Sequence, residues 1–478
     1  MNMDHLRNTL SRMWEHEVLP TLAEYIRIPC KSPDFDTDWA MHGHLDQAVD
    51  LFVGWACSKL AELGDTRIEV IRLPGLTPLI FIDVPGEGDE TVLLYGHLDK
   101  QPEMEGWAEG LGPWQAVRRG EVLYGRGAAD DGYAMFAALT AIIGLRQQRV
   151  PHARCVLLIE ASEESGSAHL PTYIDHLADR LGSPSLVVCL DSGCGSYDRL
   201  WLTTSLRGLM TGILSVHVLN EGVHSGDASG IVPSSFRIVR QLLSRLEDEL
   251  TGEIRSTELS VPVPDERAQQ AIEAASILGQ GWTSRFPWRG STQPVSNRLS
   301  DLILNRTWRP QLSVTGIGGL PDPKNAGSVL LPYTQLKLSL RLPPTLDAKG
   351  ASELIRNLLQ RSPPHSADVR FDIEHAATGW NAPAQSPWLT ASLERASRRA
   401  FGQPPAYMGE GGAIPFMGML GRRFPETQFV VTGVLGPRSN AHGPNEFLHI
   451  PAAIGISAAV AQIVADQFGS SERPIRRS

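Results

Sequence analysis

The stretch ARCVLLIEASEE, residues Ala153 to Glu164, is a continuous aliphatic run that ends in acidic residues. Two further segments share this design: ETVLLYGHLD, residues Glu90 to Asp99, and PSLVVCLDSG, residues Pro184 to Gly193. Runs that are apolar on both faces are typical of strands in a sheet that is covered on both sides. The intervening sequence is rich in alanine and leucine at helical spacing, so strand and helix alternate. This order predicts an α/β fold with a doubly wound, mostly parallel sheet.

The pattern changes after TTSLRG, residues Thr203 to Gly208. LMTGILSVHVL, QLSVTGI and YTQLKLSLRLPP then alternate apolar and polar residues, which is typical of strands with one face toward water. Helical and buried-strand patterns return from about Pro387. We therefore predict one domain built from residues 1–206 and 379–478, interrupted by an inserted α+β domain over residues 207–378.

The composition of the 478-residue chain is that of a soluble globular protein, with 42% hydrophobic and 20% charged residues. The net charge of -10 is interspersed along the chain, which argues against a nucleic-acid-binding face. The amphipathic N-terminus does not resemble a signal peptide, and we expect no segment apolar enough to cross a membrane. Five cysteines without a CxxC pair predict neither a disulfide framework nor a thiolate zinc site. We expect a cytoplasmic protein.

Ligand-type side chains collect at the carboxyl ends of the predicted strands, where doubly wound sheets bind their ligands. These two histidines and five carboxylates are His97, Asp99, Asp130, Glu163, Glu164, Asp191 and His442. The quoted strand ends contain no lysine or arginine to neutralise the acids. Two divalent cations would do so, and zinc accepts imidazole nitrogen and carboxylate oxygen together. Of the adjacent acids Glu163 and Glu164, one would then bind metal and the other would serve as general base.

Each of these residues also has a structural interpretation. A single histidine at a strand end is more often a satisfied polar residue than a ligand. Asp130 or Asp131 would suit the N-cap of the following helix, and Glu163 with Glu164 would suit a solvated loop. Because three successive strand ends carry such residues and a fourth supplies His442, the pattern favours a metal site.

Five motifs in the order YGHLD, GRGAADDG, EASEESGS, LDSG and SNAHGPNE resemble one di-zinc metallopeptidase family. It includes carnosine dipeptidase, glutamate carboxypeptidase, acetylornithine deacetylase and succinyl-diaminopimelate desuccinylase. TTSLRG, GVHSGD, SLRLPP and GEGGAIP add a resemblance to the carnosine dipeptidase-like branch. The resemblance spans nearly the whole chain and implies a metal-dependent amide hydrolase, whose inserted domain serves as a lid and in dimerisation.

The resemblance also implies the metal ligands. Asp130 would bridge two divalent ions, which would be zinc, with manganese or cobalt as alternatives. His97 and Asp191 would complete the coordination of one ion. Glu164 and His442 would complete that of the other.

Three further roles concern the reaction itself and follow from the same resemblance. Glu163 would be the general base, and Asp99 would orient His97. The peptide bond between Asp130 and Asp131 would be cis. The ADDGYA sequence departs from the usual family pattern, so Asp131 itself has no assigned role.

The resemblance places the remaining site residues around the substrate. His224 would reach the active site of a second subunit in a homodimer, and Arg341 would pair with the terminal carboxylate of the substrate. The backbone of Gly411 and Gly412 would line the substrate channel. Ala413 departs from the serine that is common in this branch. No residue of the loosely matching stretch 325–328 is given a role.

The substrate class remains open between two alternatives. An aspartate at position 191 is typical of dipeptidases in this family, whereas deacylases more often have glutamate, so Asp191 favours a dipeptidase acting on short peptides. An N-acyl-amino-acid deacylase is the alternative, and a non-catalytic binding protein that retains the fold is a remote one. Hinges near residues 204–208 and 376–383 would let the inserted domain close over the substrate.

Overall fold

A six-stranded sheet forms the centre of the computed structural model, which describes residues 1–412 and 414–471. The strands before the inserted segment are β1 (Arg67–Ile71), β2 (Leu79–Val84), β3 (Thr91–His97), β4 (Val117–Arg119), β5 (Val122–Tyr124), β6 (Arg154–Glu160), β7 (Leu186–Cys189) and β8 (Trp201–Leu206). Those within it are β9 (Gly208–His217), β10 (Val223–His224), β11 (Gln311–Gly318), β12 (Val329–Leu330), β13 (Tyr333–Leu342) and β14 (Asp368–Ala377). The last strands are β15 (Trp380–Asn381), β16 (Ala406–Glu410), β17 (Gln428–Val431) and β18 (Phe447–His449).

The helices fall into the same three parts of the chain. The first part contains α1 (Met3–Met13), α2 (Leu19–Ile26), α3 (Trp39–His42), α4 (His44–Ser58), α5 (Leu60–Leu63), α6 (Ala134–Gln147), α7 (Leu170–His176) and α8 (Ala178–Leu181). The inserted segment contains α9 (Ser225–Ala228), α10 (Ser235–Leu246), α11 (Asp265–Leu278), α12 (Leu299–Thr307) and α13 (Ala348–Gln360). The last part contains α14 (Pro387–Phe401), α15 (Pro415–Arg423) and α16 (Ile450–Ser471).

The strand order of the central sheet is β1-β2-β6-β3-β7-β17. Strands β6, β3, β7 and β17 are parallel, whereas β2 runs antiparallel to β6 and β1 antiparallel to β2. The predicted α/β fold is confirmed, as a mixed sheet with a parallel core. Because β6 and β7 flank β3 on opposite sides, the winding reverses at β3, and the carboxyl ends of these three strands meet there.

Strand β3 is continuously apolar because both faces of the sheet are covered. Val92 and Leu94 belong to a core that includes α6, whereas Leu93 and Tyr95 belong to a second core with α7 and α15. On that second side the ring of Tyr95 stacks on Phe416, with 4.0 Å between centroids. A strand buried on both faces positions its polar end rigidly, which suits a site residue.

The inserted segment forms an antiparallel sheet of its own, in the order β11-β13-β9-β14, packed on α10 and α13 around a separate apolar cluster. Helices α11 and α12 lie in the same segment but pack elsewhere, against Trp201 and Met408 of the β15-β8-β16 sheet. The sequence analysis did not predict these two helices, because the stretch around them is polar. The domain division at residues 206/207 and 378/379 stays a prediction.

The two chain connections into and out of the β9–β14 sheet run side by side in opposite directions and approach closely. A Cβ atom on Gly379 would lie 2.3 Å from the carbonyl oxygen of Leu206, and one on Gly208 would lie 2.9 Å from the carbonyl oxygen of Ala377. Both positions therefore need glycine, because a larger residue would push the two segments apart. They fall within the segments predicted as hinges.

Two helical stretches are long and apolar enough to span a membrane by length and composition: Ala128–Gln147 and Ile450–Ser470. The expectation that no segment has this property is therefore wrong. The apolar window of the first is entirely buried inside the protein, and that of the second is 78% buried. Their apolar character is explained by packing in the core, so they are weak evidence for membrane insertion.

Candidate metal centre

His97 ends β3 with its ring fully buried, and both its ring and its backbone have hydrogen-bond partners. Its Nδ1 lies 3.1 Å from the carbonyl oxygen of Asp99, and its backbone N–H donates to Oδ2 of Asp131 at 3.2 Å. With Nδ1 donating to a carbonyl, Nε2 has a free lone pair. This atom lies 3.4 Å from Oδ1 of Asp130 and 3.8 Å from Oδ2 of Asp191. The three side chains therefore converge on one small volume.

Asp130 lies at the start of the α6 region, and its carboxylate also belongs to a second group. Its Oδ2 is 2.9 Å from Nε2 of His442, which is 3.2 Å from Oε2 of Glu164. In each group the candidate ligand atoms all lie within 4.8 Å of one another. The peptide bond between Asp130 and Asp131 is cis, as the resemblance implies. The two groups thus share Asp130, in the pairing of ligands that the resemblance implies.

The hydrogen bonding of the centre tests whether these residues fit metal ions. Within the described residues, Nε2 of His97 and Oδ2 of Asp130 are buried yet have no hydrogen-bond partner of acceptable geometry. Buried polar atoms without a partner are rare in proteins and need an explanation. A borderline divalent cation accepts both imidazole nitrogen and carboxylate oxygen, so the residues present fit such ions.

The carboxyl groups of the centre have perturbed pKa values. Burial raises the pKa of Asp191 to about 6. Burial, with the neighbouring carboxylate of Asp130, also raises the pKa of Glu164. Burial opposes ionisation of Asp130 as well, but contacts with His442 and His97 hold its pKa well below the usual value. Cations would relieve the repulsion that keeps these acids from ionising together.

Glu163 and Glu164 lie on a single 3-10 turn after β6, and Asp99 holds that turn in place. The two oxygens of the Asp99 carboxylate accept the backbone N–H groups of Glu163 and Glu164 at 3.1 and 3.0 Å. Oδ1 of Asp99 also lies 3.5 Å from Nδ1 of His97. The Asp99 carboxylate therefore fixes the acidic turn, which the sequence pattern did not predict, and it lies beside the histidine that it is predicted to orient.

The Glu163 carboxylate faces the ligand groups from one side. Its Oε2 lies 4.0 Å from Nε2 of His97, and no hydrogen-bond donor contacts the carboxylate within the described residues. Burial and the nearby Asp191 raise its pKa above the usual value. A free carboxylate with a raised pKa beside a ligand set is suited to accept and return a proton.

A buried ion pair connects the two loops that contribute Asp130 and His442. Nη1 of Arg126 donates to Oε2 of Glu446 at 2.5 Å, and Oε1 of Glu446 accepts the backbone N–H of Gly127 at 2.9 Å. Both side chains of the pair are fully buried. Arg126 and Glu446 lie in the GRGAADDG and SNAHGPNE motifs, but no spacing in the sequence pairs them. Gln101, which donates to Oε2 of Glu164 at 2.7 Å, was also missed.

We expect Glu446→Ala to lower the free energy of unfolding by about 3–5 kcal/mol, because it leaves the buried Arg126 charge without a carboxylate to balance it. Glu69→Ala is the control, since Glu69 pairs with Arg180 on the surface and should cost under about 1 kcal/mol. Urea denaturation of both variants measures the difference. Equal losses would show that burial of the Arg126 pair has no special importance.

The structure places the other predicted site residues outside this cluster. The side chain of His224 on β10 is 68% exposed, and its described ion-pair contact is with Asp227. Arg341 lies on β13, opposite Gln311 in the ladder, and is half-buried. These residues belong to the inserted segment.

The glycine loop lies after β16. A Cβ atom on Gly411 would contact Arg306 and Arg207, whereas one on Gly412 would meet open space. Ala413, where the branch commonly has serine, lies outside the described residues. The stretch 325–328 begins at the end of a 3-10 turn, Pro323–Asn325, and ends just before β12.

Comparisons with known proteins show similarity to dipeptidases over most of the chain. The cysteinylglycine-S-conjugate dipeptidase of Corynebacterium striatum is 24% identical over 410 residues, covering 82% of this chain and 84% of that protein. The human beta-Ala-His dipeptidase is 26% identical over 361 residues, covering 72% and 69%. The solved structure of the dipeptidase Dug1p from Saccharomyces cerevisiae has a TM-score of 0.75 at 21% identity, covering 99% of each chain. The resemblance to the carnosine dipeptidase-like branch is confirmed.

A profile of one peptidase family covers most of the chain. The Peptidase family M20/M25/M40 profile matches residues 93–466, a range that contains the whole candidate metal centre. The protein therefore belongs to the M20/M25/M40 family of metallopeptidases, and it is a peptide-bond hydrolase.

Proposed function

We propose that this protein is a dipeptidase that hydrolyses short peptides with a free carboxyl terminus and uses two divalent ions, preferably zinc. The observation that carries the proposal is the pair of ligand groups that share Asp130. One ion would be held by His97, Asp130 and Asp191, and the other by Asp130, Glu164 and His442. Such ions, when bound, polarise a carbonyl group and make water acidic enough to lose a proton near neutral pH.

The chain's own residues would supply the proton transfers. Glu163 accepts a proton from the attacking water and returns it to the amine that leaves. Asp99 keeps Glu163 in place through the backbone N–H groups of the acidic turn. Similarity to proteins named as dipeptidases and the presence of Asp191 both support a dipeptide substrate over an N-acyl amino acid.

The inserted segment would bind the other end of the substrate and complete the active site. Arg341 is half-buried and has no carboxylate partner among the described residues, which supports its pairing with a terminal carboxylate. The backbone at Gly411 and Gly412 would line the channel. We propose residues 207–378 as the lid and dimerisation domain and residues 1–206 with 379–478 as the catalytic domain.

Exposed apolar residues near His224 support a homodimer through the inserted domain. Val329, which is the ladder partner of His224, is 48% exposed, and Ile231 is 82% exposed. Apolar residues grouped on a surface are typical of protein interfaces. His224 would then reach the active site of the second subunit and stabilise the negative charge that develops on the carbonyl oxygen.

Subunit mixing tests the role of His224. Each of His224→Ala and Glu163→Gln should be nearly inactive alone. Coexpression should restore about a quarter of wild-type activity, because half of randomly assorted dimers are mixed and each contains one complete site. If the mixture stays inactive although mixed dimers are isolated by two affinity tags, His224 does not act across subunits.

We propose a cytoplasmic location, without nucleic-acid or membrane partners. All five cysteines have free thiols, and Cys30, Cys155 and Cys189 are buried. Free thiols are typical of proteins in reducing compartments.

The function is tested by a hydrolysis screen on chelated protein after separate addition of zinc, manganese and cobalt. The substrates are alanyl-alanine, cysteinyl-glycine and β-alanyl-histidine, compared with N-acetyl-alanine and N-succinyl-alanine. We expect metal-dependent cleavage of dipeptides with higher kcat/KM than of the acylated amino acids. Faster cleavage of the N-acyl compounds would favour the deacylase alternative instead.

A further inference from the structure

Three arginine side chains, Arg207, Arg285 and Arg306, gather near the carboxylate of Glu410, and a fourth, Arg341, lies near Arg207. Arg306 forms an ion pair with Glu410. Burial, followed by the nearby guanidinium groups of Arg341 and Arg306, lowers the pKa of Arg207 to about 9. Burial and the charge of Arg306 likewise lower the pKa of Arg285, to about 10. Positive charge therefore exceeds negative charge in this region of the described structure.

Several N–H donors of the guanidinium groups in this cluster have no hydrogen-bond acceptor in the described part of the chain. Arg207 is only 8% exposed, and its one hydrogen bond within the described residues is from Nη1 to the carbonyl oxygen of Asn305 at 3.1 Å. Its Nε and the Nη1 of Arg306 are buried without a partner. Arg341 has neither an ion-pair nor a hydrogen-bond partner in the described part of the chain. Buried donors on cations are costly to leave unpaired, which points to an anion that is supplied from outside the chain.

A cavity of about 290 Å³ opens onto Arg207 and Arg306. Its lining also includes an aromatic wall, formed by Trp282, Phe286 and Trp288. The ring of Trp282 has the guanidinium groups of Arg285 and Arg306 over it, at 4.7 and 5.9 Å from its centre. A group that fits this cavity has an apolar stem, which packs on the aromatic wall, and an anionic end.

The cavity is connected, through neighbouring side chains, to the predicted binding site of the terminal carboxylate and to the loop after β7 that bears Asp191. Gln311 lines the cavity, and it faces Arg341 across the β11–β13 ladder, so the two side chains share one face of that sheet. On the other side, a Cβ atom on Gly193 would lie 2.5 Å from Oε1 of Glu410. Gly193 follows Asp191 by two residues. Glu410 pairs with Arg306 of the cavity wall, so it connects the Asp191 loop with this cavity.

We propose that this cavity is a subsite for a second carboxylate, so that the preferred substrates carry an acidic group in addition to the terminal one. This inference rests on the proposed function. Arg207 and Arg306, which line the cavity, would bind the carboxylate with their guanidinium groups, and Trp282 would pack on the methylene groups that carry it. Arg341 remains available for the terminal carboxylate. The planar guanidinium group matches a carboxylate better than a lysine ammonium would.

Pairs of nearly isosteric substrates test this without any change to the protein. Alanyl-glutamate is compared with alanyl-glutamine, glutamyl-alanine with glutaminyl-alanine, and N-succinyl-alanine with N-butyryl-alanine. The pairs also show whether the carboxylate comes from the C-terminal residue, the N-terminal residue or an acyl group. In at least one pair we expect kcat/KM to be about ten- to a hundredfold higher for the acidic member, as for a hydrogen-bonded buried charge. Ratios near one in all three pairs would overturn the proposal.

Charge removal in the cavity provides a second test. Arg207→Met keeps the length of the apolar stem and should bring the acidic-to-neutral ratio close to one. Arg370→Gln, which removes an exposed arginine of β14, should leave that ratio at the wild-type value. An unchanged ratio in Arg207→Met, with the protein folded by circular dichroism, would exclude the subsite.

Calorimetry of the same substrate pairs separates this inference from the proposed function. Binding is measured with metal-loaded Glu163→Gln protein, which should bind substrate without turning it over. If no compound is hydrolysed by the wild type but the acidic members still bind more tightly, the dipeptidase proposal fails and the anionic subsite stands. If neutral dipeptides are hydrolysed and the acidic members show no advantage in either measurement, the dipeptidase proposal stands and the anionic subsite is excluded.

Discussion

Replacing Glu163 by glutamine should lower kcat for dipeptide hydrolysis by about 100- to 10,000-fold, the range expected for loss of a general base. Glutamine fills the same volume but does not accept a proton. Because the candidate metal ligands form two groups that do not require Glu163, both ions should stay bound. The backbone N–H groups that fix the turn to Asp99 also remain. The variant should therefore be folded, metal-loaded and nearly inactive.

Two measurements together decide this prediction. Metal content is measured by mass spectrometry after gel filtration, and kcat with saturating dipeptide at fixed pH. Glu249→Gln, an exposed glutamate of the inserted segment, is the matched control and should have wild-type values in both. If Glu163→Gln keeps more than about a tenth of wild-type kcat, another group is the base.

Replacing Asp130 by alanine should remove both metal ions from the protein. Its carboxylate is the member that the two candidate groups have in common. Without it each group keeps two ligands, fewer than the three or four that hold zinc firmly in proteins. The expected metal content after dialysis falls from two ions per chain to near zero, and activity falls with it.

The two groups also predict a contrast between variants. Asp191→Ala removes a ligand from one group only, so that variant should retain one ion per chain after the same dialysis. Asp179→Ala, which removes an exposed aspartate on α8, should retain two. One ion remaining in Asp130→Ala would show that Asp130 does not bridge the two positions.

The central sheet was predictable because its strands are apolar on both faces. β3, β6 and β7 are built mostly from buried aliphatic residues, and α6, between β3 and β6, has helical spacing. The antiparallel edge formed by β1 and β2 was not predicted, since its pairing depends on contacts that no local pattern encodes. Helices α11 and α12 were missed because the segment around them is polar, although a few apolar residues anchor them on Trp201.

The candidate site was predictable to the extent that it lies at strand ends. His97, Glu163 and Asp191 follow neighbouring strands, so topology alone brings them together. The pairing of Arg126 with Glu446 was not predictable, because these residues are 320 positions apart and meet only in the folded chain. The arginine cluster was not predictable either. Arg207 lies between β8 and β9 and Arg306 lies on α12, and the two come together only in the folded chain, where both approach Gly411.

The difference in solvent exposure between His442 and His97 has a consequence for the order of events at the metal centre. The His442 side chain is 54% exposed, whereas that of His97 is completely enclosed. A chelator or an incoming ion therefore reaches the His442 position first. Depletion and reloading should be stepwise, with a fast-exchanging outer ion and a slow inner one, so that a partly depleted enzyme is a defined one-ion species.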